Sequence, residues 1–159
     1  MTRGPDGRRE VVDQSAPAPP VGLQLRMSIE VPNDVRYIES VIGLIQYECR
    51  LLDFPSRYCA LNLPVALSEA LSNAILRGND DDPEKAVNVS LSATTQSIVI
   101  EVRDEGPGFD LEASTHDPAD PANLEREDGR GVFLMRALMD RVEQFDDDGN
   151  VVRLTIGRP

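Results

Sequence analysis

The chain has 159 residues, 40% of them hydrophobic, few aromatic side chains and a formal net charge of −12. This length fits one domain with a core built mainly of Leu, Val, Ile and Ala. The acidic balance argues against nucleic acid as a direct partner, because phosphate binding needs a basic surface. No apolar run approaches the ~18 residues of a membrane span and no signal peptide is visible, so we expect a cytoplasmic protein without a membrane partner.

Residues 1–22 are rich in Pro, Gly, Ala and Arg and have little to bury, which predicts a disordered tail ahead of one domain over 23–159. The two cysteines, Cys49 and Cys59, show neither CxxC spacing nor clustered histidines, so a zinc site is not expected. We expect both to be buried, reduced thiols, as is usual in a cytosolic protein.

The domain opens with LQLRMSIEV (23–31), in which apolar and polar residues alternate, and this pattern predicts a half-buried strand. Asn33 or Asp34 is suited to cap the helix that follows. Apolar residues then recur at helical spacing as far as the break at FPS. Those residues are Val35, Ile38, Ile42, Ile45 and Cys49.

A second helix is predicted to run to Gly78, because glycine commonly stands just past a helix end. Its start has two interpretations. Pro64 can occupy the first turn, with Asn62 as the cap, or it can kink a helix that began near Ser56.

Three further segments, KAVNVSLSA, SIVIEVRD and VVRLTIG, alternate as strands do. Asp148 and Gly149 signal a hairpin between RVEQF (141–145) and the last strand, while GVFLMRALMD (131–140) is helical. Strands with one polar face predict helices on one side only. We therefore expect an α+β, two-layer sandwich with a mixed, mostly antiparallel sheet. The inward residues are predicted to be Val87, Val89, Leu91, Ile98, Ile100, Val102, Val152, Leu154 and Ile156.

The first polar cluster lies on the second helix, in VALSEALSNAILRGN. Glu69 and Asn73 are four residues apart and therefore share one face. A glutamate can act as a general base, and an amide oxygen suits magnesium, which uses few protein ligands. A solvated polar face is the alternative interpretation of the same spacing.

The second cluster is DEGPGFD (104–110), which leaves the strand SIVIEVR. Asp104 ends the strand, where its carboxylate can accept a hydrogen bond from an exocyclic amine such as that of adenine. Gly106 and Gly108 permit positive φ and close approach of the backbone to a flat ring. An ordinary Gly-Pro-Gly turn is the alternative.

The third cluster is GRGVFLMR (129–136), where Gly129 and Gly131 lead into a helix whose free N–H groups can cradle phosphate. Arg130 adds positive charge, although a plain helix start has the same pattern. The aperiodic stretch 111–128 separates the second and third clusters, and its length predicts a lid over a ligand. His116 lies in that stretch, and we interpret it as an incidental surface residue.

The order of these clusters is more specific than any one of them. A Glu-x-x-x-Asn helix, an Asp-x-Gly-x-Gly turn after a strand, a loop and a Gly-x-Gly helix start resemble the GHKL superfamily of ATPases and kinases over roughly residues 23–157. Within that superfamily, EALSNAILRGN, DEGPGFD and GRGVFLMRALMDRVE are most similar to bacterial anti-sigma factor serine/threonine kinases.

The resemblance implies ATP and Mg²⁺ as cofactors and gives each cluster a role. Glu69 would be the general base, Asn73 the magnesium ligand and Asp104 the reader of the adenine amino group. Nucleotide-lining residues would be Gly106, Gly108 and Phe109, and phosphate-binding residues would be Gly129, Arg130, Gly131 and Val132. Many members carry a histidine where this chain has Arg77, near the nucleotide end of the helix, so phosphate contacts there are expected to differ.

The resemblance further implies a serine/threonine protein kinase that phosphorylates a small anti-anti-sigma antagonist and binds a sigma factor. Relatives often dimerise, so a homodimer is compatible with it. The alternative function is a protein-binding switch gated by ATP without productive kinase activity, which the departure at Arg77 leaves open. Transfer of phosphate to the true partner discriminates the two functions.

Overall fold

The computed structural model describes residues 24–108 and 130–159; the predicted tail and the predicted lid lie outside these ranges. The strands are β1 (Leu25–Pro32), β2 (Ala86–Ala93), β3 (Ser97–Asp104), β4 (Arg141–Asp146) and β5 (Asn150–Gly157). The helices are α1 (Ile38–Leu51), α2 (Leu63–Asn73) and α3 (Arg130–Leu138). A 3₁₀ turn, Val35–Tyr37, precedes α1, and π-helical turns, Tyr58–Asn62 and Ala74–Gly78, flank α2.

The five strands form one sheet in the order β1-β2-β3-β5-β4. Every pairing among the described strands is antiparallel, so the sheet is fully antiparallel there rather than mixed. The β4–β5 hairpin turns at Asp148 and Gly149, both with positive φ, as the Asp-Gly pair predicted. The α+β fold class is confirmed. In this register Asp104, at the end of β3, lies opposite Asn150, at the start of β5.

One face of the sheet packs against the helices, and together they enclose the core. Alternate residues of β2 and β3 are buried, and they join one apolar cluster with the inner faces of α1, α2 and α3. Every predicted inward strand residue from Val87 to Ile156 is buried. The other face is polar, where Arg153 pairs with Glu101 at 3.2 Å and with Glu143 at 3.5 Å.

Helical structure begins at Ser56, as the second interpretation of Pro64 has it, while Pro64 itself lies in the first turn of α2, as the first interpretation has it. The wide π-helical turn immediately before Pro64 suits a residue that lacks an N–H and whose ring would crowd the carbonyl four residues earlier. Asn62 is not a cap. Its Nδ2 donates to the carbonyl oxygen of Leu138 at 2.7 Å, which ties the start of α2 to the end of α3.

The first helical segment starts at a side-chain cap. Asp34 accepts a hydrogen bond from the backbone N–H of Arg36 at 2.9 Å. Side-chain hydrogen bonds from Arg36 lower the pKa of Asp34, which keeps the cap ionised to lower pH. The buried residues of α1 are Val41, Ile45 and Cys49, so one face of the helix enters the core. The predicted face is confirmed only in part, because Ile38 and Ile42 are partly buried and Val35 is 45% exposed.

The helical run Tyr58–Gly78 is long and apolar enough to cross a membrane if only length and composition are considered. The sequence analysis did not foresee this, because it counted uninterrupted apolar residues. Leu63, Leu67 and Leu71 of this run are at most 1% exposed and lie within the domain core. Packing against the sheet therefore accounts for the apolar character of the run.

The prediction of reduced thiols is wrong, because Cys49 and Cys59 form a disulfide bond. The chain reverses after α1, and this reversal brings the two Cα atoms to 5.6 Å, within the range that a disulfide requires. Both cysteines are 1% exposed. The bond links the last turn of α1 to the turn that precedes α2.

Reduction of this disulfide is expected to lower the free energy of unfolding by about 3 kcal/mol, because the bond restricts a loop of the unfolded chain. Urea unfolding with and without dithiothreitol measures the difference. The double variant Cys49→Ala, Cys59→Ala is the control, since reductant should not alter its stability. Two reactive thiols in denatured protein that was never reduced would contradict the cross-link.

Candidate functional site

Asp104 ends β3 as a buried carboxylate, with the residue only 3% exposed. Its Oδ1 accepts a hydrogen bond from the backbone N–H of Gly106 at 2.8 Å. Its Oδ2 accepts one from Nδ2 of Asn150 at 3.1 Å. Both carboxylate oxygens are therefore held by donors from within the protein, and they retain lone pairs for a further donor.

The end of the second helical run contacts the turn that carries Asp104. A Cβ atom on Gly78 would overlap the carboxylate of Asp104, and one on Gly106 would overlap the carbonyl oxygen of Gly78. Both positions therefore require glycine for close approach, rather than for a positive φ. The structure thus joins the C-terminal end of the first polar cluster to the second polar cluster.

Glu69 and Asn73, on the same helical run, face the start of α3. A Cβ atom on Gly131 would lie 2.6 Å from Oε2 of Glu69 and 3.4 Å from Nδ2 of Asn73. Gly131 is buried in the first turn of α3, and Val132 beside it is 0% exposed and packs in the core. Glu69 and Asn73 are half-buried, so this polar face of the helix is only partly solvated. The first and third clusters meet here.

The remaining predicted residues divide into two groups. Arg77 lies exposed in the π-helical turn at the end of the second helical run, and Arg130 lies exposed at the start of α3. Phe109, Gly129 and His116 lie outside the described residues, as does the whole stretch 111–128 between the second and third clusters.

The sequence analysis missed a buried amide, Asn79, which is 0% exposed. Its Nδ2 donates to Oδ1 of Asn33 at 3.1 Å and to the carbonyl oxygen of Ala86 at 2.9 Å. Its Oδ1 accepts from the backbone N–H of Glu105 at 2.8 Å. Asn79 therefore fixes the turn after Asp104 relative to the helix end. In the sequence, the only indication of this role was that Asn79 directly follows the glycine that ends the helix.

Replacement of Asn79 by alanine is expected to destabilise the fold by about 3 kcal/mol, because it removes a buried hydrogen bond to Asn33 and leaves part-buried backbone groups of Ala86 and Glu105 without partners. Chemical denaturation measures this loss. Asn88→Ala is the matched control: its side chain lies on the polar face of β2, and we expect a change of about 0.5 kcal/mol or less. Equal losses in the two variants would contradict the role of Asn79.

The sequence analysis also missed Asn150 and Gln144. Asn150 is 3% exposed and bonds Asp104, while Gln144 Nε2 donates to Oδ1 of Asn150 at 2.7 Å. Gly108 has φ +82°, and a Cβ atom there would lie 2.6 Å from that same Oδ1. Asn150 directly follows the Asp-Gly hairpin signal, but only the strand register reveals that it faces Asp104.

A cavity of about 330 Å³ adjoins Asp104 from the polar face of the sheet. Among the described residues that line this cavity, Arg103 is the only one with a positive charge. The acidic lining residues are Glu30, Glu84, Asp104, Glu105 and Asp148. The negative charge of a nucleoside triphosphate would be repelled by so many carboxylates. The helix side of Asp104 is therefore better suited to a nucleotide than this cavity.

Comparison with known families decides the fold family. The model of the histidine kinase-like ATPase domain matches residues 31–156. The chain belongs to this family. The resemblance found from the three polar clusters is thereby confirmed, and ATP binding is the function that the family name implies. Every predicted site residue lies within the matched region of this ATPase domain.

The ATPase domain is similar to proteins named serine-protein kinase RsbW. The identity is 32% to the protein of Oceanobacillus iheyensis and 29% to those of Listeria monocytogenes and Bacillus subtilis. Each match extends over 99 residues and 59% of this chain. It covers 63%, 63% and 62% of these relatives, respectively, which is just under two thirds of their length.

The donor set of the ATPase domain is compatible with magnesium. Among the described residues, no group of three or more His, Cys, Asp and Glu side chains could hold a metal by itself. Magnesium typically takes one or two protein oxygens together with phosphates and water. The Nδ2 of Asn73 is buried without a hydrogen-bond partner, so it has a hydrogen bond to donate, but an amide nitrogen does not ligate magnesium. The amide oxygen of Asn73 is the type of ligand that magnesium takes, and its role as that ligand stays a prediction.

Proposed function

We propose that the chain is an ATP-dependent serine/threonine protein kinase that phosphorylates a small anti-anti-sigma protein and binds a sigma factor. One observation carries this proposal: a single helical run contacts both ends of the candidate site. Glu69 faces the first turn of α3, and Gly78 touches the carboxylate of Asp104. A nucleotide that bridges these two places would have its base at Asp104 and its phosphates near Glu69.

The adenine end of the proposed site is built on Asp104. Its carboxylate would accept a hydrogen bond from the adenine amino group, which is a donor that guanine lacks at the same ring position. Gly106 and Gly108 would let the backbone approach the ring, and Phe109 would lie nearby. The donors already bound to Asp104 support this role, because they orient the carboxylate before any nucleotide arrives.

The phosphate end is built on the start of α3. The N-terminal N–H groups and the helix dipole there favour an anion. The phosphate-binding residues would be Gly129, Arg130, Gly131 and Val132. Asn73 would hold Mg²⁺, which when bound would neutralise charge on the phosphate oxygens. Arg77 would add positive charge from the end of the same helical run as Asn73.

Glu69 would act as the general base. It would take the proton of a serine or threonine hydroxyl as that oxygen bonds to the γ-phosphorus and the bond to the departing ADP breaks. Positioning and electrostatic stabilisation supply most of the catalysis in phosphoryl transfer, so a fixed carboxylate suffices on the protein side. The proximity of Glu69 to the predicted phosphate-binding turn supports this assignment.

The proposed partners are proteins, and the proposed compartment is the cytoplasm. The name of these relatives, serine-protein kinase, supports a protein substrate. Similarity to anti-sigma factor kinases supports an antagonist protein and a sigma factor as the two partners. The net charge of −12 argues against direct contact with nucleic acid. A homodimer stays part of the proposal by analogy with relatives.

The function is tested by incubating the full chain with γ-labelled ATP, Mg²⁺ and a lysate of the source organism. We expect label on serine or threonine of a small protein, and that protein should then be phosphorylated in purified form. Binding of ATP without label on any protein would overturn the kinase assignment. It would favour the second candidate function.

That second candidate is a protein-binding switch gated by ATP. Arg77 favours it, because many relatives of this kind carry a histidine at this position and the phosphate contacts would differ. A switch would bind ATP and change its affinity for a partner without phosphate transfer. Partner capture with ATP and without nucleotide, compared for the wild type, measures this directly. Equal capture in both conditions would exclude the switch.

A further inference from the structure

We propose that Gln144 and Asn150 form a relay that positions Asp104 and makes the site select nucleotides with a 6-aminopurine over those with a 6-oxopurine. Neither residue belongs to the three polar clusters from which the nucleotide-binding residues were predicted. The inference rests on the proposed function, since it concerns the base that Asp104 would read. Both residues are positioning residues, because they act through Asp104.

The carboxylate of Asp104 and the amide of Gln144 together fix the orientation of the Asn150 side chain. An amide side chain alone can present either its oxygen or its nitrogen to a neighbour. Gln144 Nε2 donates to Oδ1 of Asn150 at 2.7 Å, which commits that oxygen to Gln144. Nδ2 of Asn150 then points to Oδ2 of Asp104 at 3.1 Å. Since Asn150 is 3% exposed, water offers little competition for either bond.

Directional bonds on Asp104 favour selectivity for the base. With Gly106 N–H on Oδ1 and Asn150 on Oδ2, the carboxylate is held as an acceptor on both oxygens. A 6-amino group donates to such an acceptor, whereas a 6-oxo group places a second acceptor against it and leaves both unpaired. Sites built around a specific hydrogen bond reject the ligand that lacks it, because a buried polar group then stays unpaired.

The backbone closes over the relay at Gly108. A Cβ atom at this position would lie 2.6 Å from Oδ1 of Asn150 and 3.0 Å from Nε2 of Gln144. Gly108 therefore covers the Gln144–Asn150 hydrogen bond, and its positive φ is one that other residues rarely adopt. The turn that carries Asp104 and the β4–β5 hairpin that carries the relay are thus packed together.

The test compares the affinities of the full chain for ATP and for GTP by isothermal titration. Gln144→Met removes the donor to Asn150 but leaves Asp104 and Asn150 in place. We expect ATP binding to weaken about 5-fold, the equivalent of one neutral hydrogen bond, with little change for GTP, so the ATP-to-GTP ratio narrows. Gln46→Met is the matched control, since Gln46 donates to the carbonyl oxygen of Cys59, away from Asp104.

Substitutions of Asn150 keep the test independent of Gln144. Asn150→Ala should narrow the ATP-to-GTP ratio further, and Asn150→Thr should restore it in part, because a hydroxyl can still donate to Asp104. A merely structural role would weaken both nucleotides equally. Selective ATP binding by wild type with an unchanged ratio in all three variants would overturn the relay alone. A wild type that binds no ATP would overturn the proposed function and, with it, this inference.

Discussion

Substitution of Glu69 by glutamine is expected to slow phosphate transfer to the protein substrate by about 1,000-fold, the middle of the range for general base catalysis. Glutamine keeps the size of the side chain against Gly131 but cannot take the hydroxyl proton. ATP affinity should change by about 2-fold or less, since a base acts on the transition state and not on nucleotide binding. Transfer from γ-labelled ATP under single-turnover conditions and titration with ATP measure the two quantities.

Glu39→Gln is the control for this substitution. Glu39 is exposed in the first turn of α1, away from α3, and its replacement removes the same charge from the chain. Both variants should unfold at the same temperature as the wild type. Transfer that stays near the wild-type rate in Glu69→Gln would exclude Glu69 as the base, although the kinase activity itself would then stand.

Substitution of Asp104 by asparagine is expected to weaken ATP binding about 100-fold, as is typical when a hydrogen bond to a charged group is lost in a buried site. The substituted amide can still accept from the N–H of Gly106 through its oxygen. Its nitrogen would then face Nδ2 of Asn150, so two donors would oppose each other where one bond exists now. Isothermal titration with ATP measures the affinity.

Asp146→Asn is the control for the loss of charge. Asp146 pairs with Asn150 across the β4–β5 hairpin, but its side chain is exposed. Removal of its charge therefore tests how far long-range electrostatics near Asp104 affect ATP binding. Thermal unfolding must show that both variants are folded. Equal ATP affinity of Asp104→Asn and wild type would remove Asp104 from the nucleotide site.

Local patterns predicted the sheet and the helices well. The period of two along β2, β3 and β5 needs only neighbouring residues, and every inward residue predicted from it is buried. The Asp148-Gly149 turn was equally predictable, because few residues adopt its backbone conformation without strain. The start of the second helical run was not predictable, since the bond from Asn62 to Leu138 depends on α3.

The cysteine pair shows the same limit. The sequence places Cys49 and Cys59 ten residues apart, a separation compatible with two free thiols or with a cross-link. Only the reversal between α1 and the next helical turn decides the matter, by setting the distance between the two Cα atoms. The expected cytoplasmic compartment favoured two free thiols. The packing of the two helical segments instead brings the cysteines close enough to form the disulfide.

By itself, the sequence determined the fold class, the order of the elements and the three polar clusters around Glu69, Asp104 and Gly131, because periodicity and short motifs are local. Only the tertiary structure decided that one helical run joins the three clusters. It also decided that Asn79 and Asn150 hold the turn at Asp104. The physical reason is that strand register and helix packing set contacts between residues far apart in sequence. The residues next to an asparagine in the sequence do not indicate which distant residue its side chain will bond.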